Sequence, residues 1–381
     1  MYKDNLKDKN LFLIKESSYF QTMNKLNIIG LMSGTSLDGL DIVYVEFIFD
    51  TVNDIKNFKI IQSESYNYSN QFINKLKKST ELNLVEFLKL DKKIGQVFGE
   101  FVNDFISKYK IEKEEIHAIA SHGHTTFHQP ENGFTSQIGC GDTIAVLTGI
   151  PVINDFRTKD VILGGQGAPL VPIGDFSLFK NEAISYLNLG GIANISFKKE
   201  NEIVAFDVCP ANHPLNKIVK QFLKINFDKG GEISSQGKVD KELLNQLNHL
   251  EYYTLDYPKS LGTEWLENEF YPLITKSRLG VSDLLATIVR HEVEQINKVL
   301  EEKELSSVFI TGGGVLNTFF IDELKSIYSG KVIIPNKEII EFKEALIFAY
   351  LGALYLNKQP NILKSVTGAK RDSIGGVLHL P

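Results

Sequence analysis

Twice in this chain an apolar strand runs into a short glycine turn and straight out into another strand. The first unit is residues 26–32, then Ser33-Gly34-Thr35-Ser36-Leu37-Asp38-Gly39, then a β-branched and aromatic run over 41–49. The second is residues 183–189, Gly190-Gly191, and 192–197. A Walker loop or a dinucleotide loop needs a helix directly after its glycines, because the helix N-terminus helps to hold the phosphate. The first turn has none, which removes the two commonest nucleotide-binding folds for that loop. A third glycine run, Gly312-Gly313-Gly314, follows the strand predicted at 307–311.

Glycine allows close backbone approach and lets N–H groups converge on anionic oxygens. The hydroxyls of Ser33, Thr35 and Ser36 add donors. One such turn is most often an ordinary hairpin. Three of them, spread over two halves, favour a nucleotide held in a cleft between lobes. Asp38 and Asp41 beside phosphate donors would repel that ligand unless a cation intervenes, which suggests Mg²⁺. The competing reading of each is a turn-capping aspartate.

The rest of the pattern is α/β. Helical spacing covers 85–108, 282–302 with Ser282 as cap, and 344–356. A strand at 116–120 ends in Ser121-His122-Gly123-His124, and Asp142 is placed to cap a short helix through Thr148. The segment 155–169 reads as a loop dense in glycine and charge, and carries Asp155, Arg157, Lys159 and Asp160. Either aspartate could act as a general base there, and the two cations could hold anions. His122, His124 and His128 lie close enough to suggest a metal site, but no carboxylate or cysteine spacing accompanies them. Ligand binding or loop structure is the better reading.

The length of 381 residues suits two or three domains or one bilobed unit, and 43% hydrophobic residues allow a large core. A net charge of -6 argues against nucleic acid as a partner. No apolar run nears the ~20 residues of a membrane helix. With only Cys140 and Cys209, a disulfide framework is excluded and a reducing compartment fits. Residues 1–24 mix both charges and read as an N-terminal extension rather than a secretory signal.

Longer strings add a resemblance. Gly30-Leu31-Met32-Ser33-Gly34-Thr35-Ser36-Leu37-Asp38-Gly39-Leu40-Asp41 resembles the opening motif of the anhydro-N-acetylmuramic acid kinases. The match continues through Ser121-His122-Gly123, Asp155-Phe156-Arg157 with Asp160, Gly164-Gly165-Gln166-Gly167-Ala168-Pro169-Leu170 and Asn188–Asn194. It ends with Pro258-Lys259-Ser260, Thr311–Gly314 and Val366-Thr367-Gly368-Ala369, so it covers nearly all of 26–381. The chain departs from the family pattern at His124, at Cys209 and Ala211 in Asp207–Asn212, and at Thr263.

The resemblance implies a two-lobed actin-like ATPase fold, ribonuclease H-like in each lobe, with ATP in the interlobe cleft. The expected lobes are 25–160 and 161–381. It implies a cytoplasmic enzyme of peptidoglycan recycling that turns 1,6-anhydro-N-acetylmuramic acid, ATP and water into N-acetylmuramic acid 6-phosphate and ADP. By position in the motifs, Asp160 is the base. Gly34, Thr35, Ser36, Leu37, Asp38, Gly39, Leu40 and Asp41 serve the β- and γ-phosphates, and Gly190-Gly191 forms a second phosphate turn. Gly312, Gly313 and Gly314 approach adenosine. Glu344, His122 and Arg157 are substrate candidates, and Asp38 and Asp207 are candidates for Mg²⁺. A homodimer is left open. The alternatives are a kinase of the same fold for another sugar, a non-catalytic nucleotide-binding relative, and a metal hydrolase on the three histidines.

Overall fold

The computed structural model describes residues 24–34, 37, 39–50, 54–200 and 202–381. Most of the expected extension, together with Thr35, Ser36 and Asp38, therefore lies outside the described residues. The chain divides into two compact units. The first runs to Leu178 and resumes at Phe342–Pro381; the second is Phe179–Glu341.

The first unit holds a sheet ordered β12-β6-β4-β1-β2-β3, with β5 paired to β4. Its strands are β1 (Lys25–Ser33), β2 (Gly39–Phe49), β3 (Ile55–Asn67), β4 (Ala118–Gln129), β5 (Phe134–Ile138), β6 (Val152–Asn154) and β12 (Val377–His379). β1 to β3 form an antiparallel meander, and β4 and β6 run parallel to β1. The second unit repeats this order as β9-β8-β7-β10-β11. Its strands are β7 (Ser185–Leu189), β8 (Ile192–Lys199), β9 (Glu202–Pro210), β10 (Ser307–Thr311) and β11 (Lys331–Ile333). Again the first three are antiparallel and the last two parallel to the first. A meander followed by parallel additions is the ribonuclease H-like sheet, and two in one chain are those of the actin-like ATPases.

The expected boundary at 160/161 is corrected to 178/179, with a return at 341/342. The reason is packing. The helix Lys337–Leu356 seats on β1 where Gly30 lacks a side chain, since a Cβ there would overlap the Ala345 carbonyl oxygen. Gly352 of the same helix packs against the Ala120 methyl of β4. β12 then closes the sheet against β6. Asp160 lies in the first unit, as under the expected boundary.

Local signals were read with small errors. The helix Leu84–Tyr109 is capped by Asn83, whose side chain accepts from Glu86 N–H. Asp142 is not a cap, because Cys140 takes that place; its carboxylate instead meets His379 Nδ1 at 2.7 Å. Gly280 rather than Ser282 precedes the helix Val281–Glu302. The last helix begins at Lys337, so Glu344 lies two turns inside it and not at its start.

The second core gathers Leu187, Ile195, Val208, Leu285, Val289 and Ile310. Within this unit Glu292 is fully buried, and neither carboxylate oxygen has a partner among the described residues. Burial pushes its carboxyl well above the ordinary glutamate value. Below about pH 4.5 the group is neutral both folded and unfolded, so it has no pH effect. Above that, the unfolded chain ionises while the folded chain does not, so stability falls as pH rises toward the folded value. Glu292→Gln removes this slope. The stability gap between variant and wild type, read from urea midpoints, is expected to widen from pH 5 to pH 8, by at most ~1.4 kcal/mol per unit. A gap independent of pH would refute the assignment.

Candidate active site

The site in the first unit grows from the segment read as a loop. Residues Thr158–Ile162 form a single helical turn. It is entered through Asp155, whose φ of 56° is left-handed and whose carboxylate accepts from Thr158 N–H at 3.4 Å. Asp155 thus has a turn-building task. Asp160 lies within that helix and has no exposed surface. Gly167 N–H donates to its Oδ2 at 2.8 Å, and Thr367 Oγ1 donates to its Oδ1 at 2.7 Å. Each oxygen keeps one lone pair. Gly165 is required here because a Cβ would strike Asp160 Oδ2. The chain returning from the C-terminus closes the segment, with Gln166 N–H on Thr367 O at 2.8 Å and Lys370 N–H on Leu163 O at 3.1 Å.

Arg157 stands beside it, half-buried. Its Nε and Nη2 both reach His122 Nε2, at 3.2 and 2.9 Å, and Nη1 donates to Gly167 O at 2.6 Å. An arginine can only donate, so His122 Nε2 must be the acceptor. The proton therefore sits on Nδ1, which donates to Gly123 O at 3.0 Å. His122 is neutral, and burial first and Arg157 second hold it well below the usual histidine value. Burial also lowers Arg157, to about 10, against the pull of the Glu344 and Asp160 carboxylates. It stays charged at neutral pH. Glu344 is an exposed residue, yet dense surroundings push its carboxyl up, opposed by Lys343 and Arg157 and reinforced by Asp41. Asp41, Arg157, Asp160 and Glu344 thus form one electrostatic neighbourhood.

The metal reading of the three histidines fails on this geometry. His122 Nε2 is covered by a cation. His124 Nδ1 meets Ser33 Oγ at 3.2 Å, and His128 Nδ1 meets Thr135 Oγ1 at 3.1 Å. Each ring answers to a different partner.

In the first turn, Leu37 has φ 61° and its N–H closes on Gly34 O at 3.3 Å. Gly39, Leu40 and Asp41 belong to β2, where they pair with Asn67, Tyr66 and Ser65. Leu40 is fully buried in the core. These ladder bonds tie Gly39, Leu40 and Asp41 to the sheet.

In the second unit, Gly190-Gly191 is pinned from behind. Asn212 Nδ2 donates to Gly190 O at 2.7 Å and to Leu189 O at 3.2 Å, and Ala211 N–H donates to Gly191 O at 3.0 Å. Gly312 needs its glycine, for φ is 88° and a Cβ would lie 2.7 Å from Asn188 Oδ1. Gly313 does not, since a Cβ there would meet nothing within 4 Å. Internal packing therefore leaves Gly313 unexplained. Asp207 accepts from Leu261 N–H through Oδ2 at 2.9 Å, and its carboxyl is raised by burial and lowered by that bond.

The anhydro-N-acetylmuramic acid kinase family model matches residues 26–381. The chain belongs to this family. Among curated relatives, an anhydro-N-acetylmuramic acid kinase of Shewanella oneidensis is 38% identical over 376 residues, covering 93% of this chain and 98% of its own. One of Legionella pneumophila is 34% identical, covering 92% and 97%. Among solved structures, the chain is similar to the activator of 2-hydroxyisocaproyl-CoA dehydratase from Clostridium difficile with bound ADPNP. That likeness has a TM-score of 0.41 at 13% identity, covers 87% of this chain and 96% of that one, and is too faint to carry chemistry.

As a family member the chain is an enzyme, a kinase that uses ATP. Among the described residues no helix is long and apolar enough to cross a membrane. Of the residues expected for this kinase, the first unit brings together Asp41, His122, Arg157, Asp160 and Glu344. Gly190, Gly191, Asp207 and Gly312–Gly314 belong to the second unit. Three participants were not singled out from sequence: Thr367 and Gly167 as donors to Asp160, and Gly165 as its close neighbour. All three sit in strings that carry the family resemblance, and the signal at 164–167 was glycine density. Nothing local could have paired Thr367 with a residue 207 positions earlier.

Proposed function

We propose that this kinase acts on 1,6-anhydro-N-acetylmuramic acid. It opens the anhydro bridge with water and passes the γ-phosphoryl of ATP to O6, giving N-acetylmuramic acid 6-phosphate and ADP in cytoplasmic peptidoglycan recycling. The observation that carries this is the oriented carboxylate of Asp160, held by two donors beside a cationic arginine. The relatives' shared name, over more than nine-tenths of the chain, supports the sugar.

O6 is tied to C1 and has no proton to give. Water therefore adds to C1, the C1–O6 bond breaks with its electron pair on O6, and O6 bonds to phosphorus as ADP departs. Asp160 takes the proton of the water on a remaining lone pair. The carboxylate has no exposed surface, so turnover requires a movement that admits the water. Arg157 has spent three of its donors on His122 and Gly167. Its charge steadies negative groups at the site rather than gripping them with its full fork. Glu344, its carboxyl raised, offers a hydrogen bond to a sugar hydroxyl.

For the nucleotide, Ser33–Asp38 and Gly190-Gly191 supply backbone donors to phosphate oxygens, and Gly313 leaves room for a ligand's close approach. Mg²⁺ commonly takes one or two carboxylates besides waters and phosphates. Asp207 fits that role, since only Oδ2 is engaged among the described residues; Asp38 is the other candidate. When bound, the ion would neutralise charge building on the β- and γ-phosphate oxygens.

The test is a ³¹P spectrum of the product from the anhydro-sugar, ATP and enzyme. A phosphomonoester coupled to the C6 protons of an opened ring is expected. ADP formed without a sugar phosphate, or a phosphate on another hydroxyl, would overturn the proposal.

A further inference from the structure

Before its final strand the chain folds residues 361–375 back on themselves. Asn361 is fully buried; its amide donates to Leu351 O and to Gly375 O, each at 3.0 Å, and its carbonyl accepts from Gly375 N–H at 2.7 Å. Ile362 and Ser373 form an antiparallel bridge beside it. Lys159, on the helical turn that carries Asp160, donates through Nζ to Ile374 O at 2.5 Å. Within this closed loop the short helix Lys364–Thr367 ends on Gly368, whose φ of 77° is left-handed and whose N–H returns to Lys364 O at 2.8 Å. Thr367 is thus the last residue of a braced turn, and it is buried. Its hydroxyl has three neighbours. Ala369 N–H donates to Oγ1 at 3.4 Å, so the single hydroxyl proton is left for Asp160 Oδ1 at 2.7 Å or for Leu363 O at 3.3 Å. The nearer oxygen, on the carboxylate, is the better acceptor.

A carboxylate that works as a base needs this second partner. The last torsion of an aspartate is broad, so one donor on one oxygen leaves the group free to swing. Gly167 N–H holds Oδ2 alone; the Thr367 hydroxyl holds Oδ1, and the two bonds together fix the plane of the group. We propose that Thr367 is a positioning residue for ring opening: its hydroxyl, braced by the C-terminal loop, keeps Asp160 in the plane from which it takes the proton of the attacking water. The proton passes from water to the carboxylate, and Thr367 keeps its own. This rests on the reading of Asp160 as the base.

The experiment is steady-state kinetics with the anhydro-sugar and ATP on the full chain, with melting temperature as the control for folding. Thr367→Val keeps the shape of the side chain and removes the hydroxyl. Its kcat is expected to fall roughly tenfold to a hundredfold, the scale set by a misplaced reacting group. Both KM values should stay within about twofold, because the lost interaction serves the transition state and not binding. Thr367→Ser keeps the hydroxyl and should retain most of the wild-type kcat. Thr367→Ala serves if the valine variant does not fold. In an Asp160→Asn background, Thr367→Val should remove little of the turnover that is left, since residues that act as a unit do not add. A hydroxyl-free variant with kcat within about twofold of wild type overturns the inference. So does a serine variant as impaired as the valine variant, or a loss that falls on KM. A second full loss in the Asp160→Asn background overturns it too, because Thr367 would then act apart from Asp160. Asp160→Asn with wild-type turnover overturns the reading of the base itself, and the inference with it.

Discussion

Asp160→Asn is expected to lower kcat at least a hundredfold and to leave the protein folded, in keeping with the roughly 10²–10⁴-fold that a positioned base contributes. The geometry explains why the two effects separate. An asparagine can turn its carbonyl to Gly167 N–H and its amide to Thr367 Oγ1. Thr367 can then reverse its role and donate to Leu363 O, which already lies 3.3 Å away. Every buried polar group keeps a partner, so melting temperature and ATP affinity should move little. The amide, however, cannot accept a proton from water. Steady-state kinetics with the anhydro-sugar reads this directly. Activity within tenfold of wild type would remove Asp160 from its role as base.

The largest stability effect should come from Lys343→Met. Lys343 Nζ and Asp175 Oδ1 form an ion pair at 3.0 Å, with side chains only 4% and 5% exposed. Asp175 stands three residues before the first unit boundary and Lys343 two residues after the second. Burial raises the Asp175 carboxyl, although Lys343 pulls it down. Desolvation therefore outweighs the attraction, and the pair is a poor source of stability in its own right. Removing the cation alone is far worse, because it strands a buried acid. A loss of about 3–5 kcal/mol is expected for Lys343→Met, measured by urea unfolding at pH 7. The same variant should lose less at pH 4, where protonation relieves the orphaned carboxyl. The double change Lys343→Met with Asp175→Leu should recover most or all of the loss. A double variant no more stable than the single one would show that the pair is not the cause.

The histidine cluster shows where local reading stops. Three histidines within seven positions look alike in the sequence. Folded, His122 becomes an acceptor for Arg157, His124 a hydrogen-bond partner of Ser33, and His128 one of Thr135. Their roles depend on partners up to 91 residues away, and a side chain's protonation follows whatever it touches.

The glycine turns, in contrast, were legible because short-range rules govern them. Gly30 to Asp41 declares strand, turn and strand through residue types that each bear on the local backbone, and the same holds at Gly190-Gly191. Motif strings likewise pointed to the family and to Asp160. The domain boundary was not legible in this way. Whether 342–381 joins the first sheet or the second depends on a glycine at position 30 admitting the Ala345 backbone, and on β12 finding β6. Those are contacts between surfaces that meet only after folding. Chain-local propensity thus carried the turns and the kind of chemistry. Long-range complementarity settled which residues hold Asp160 in place, because a hydrogen bond answers to distance in space and not along the chain.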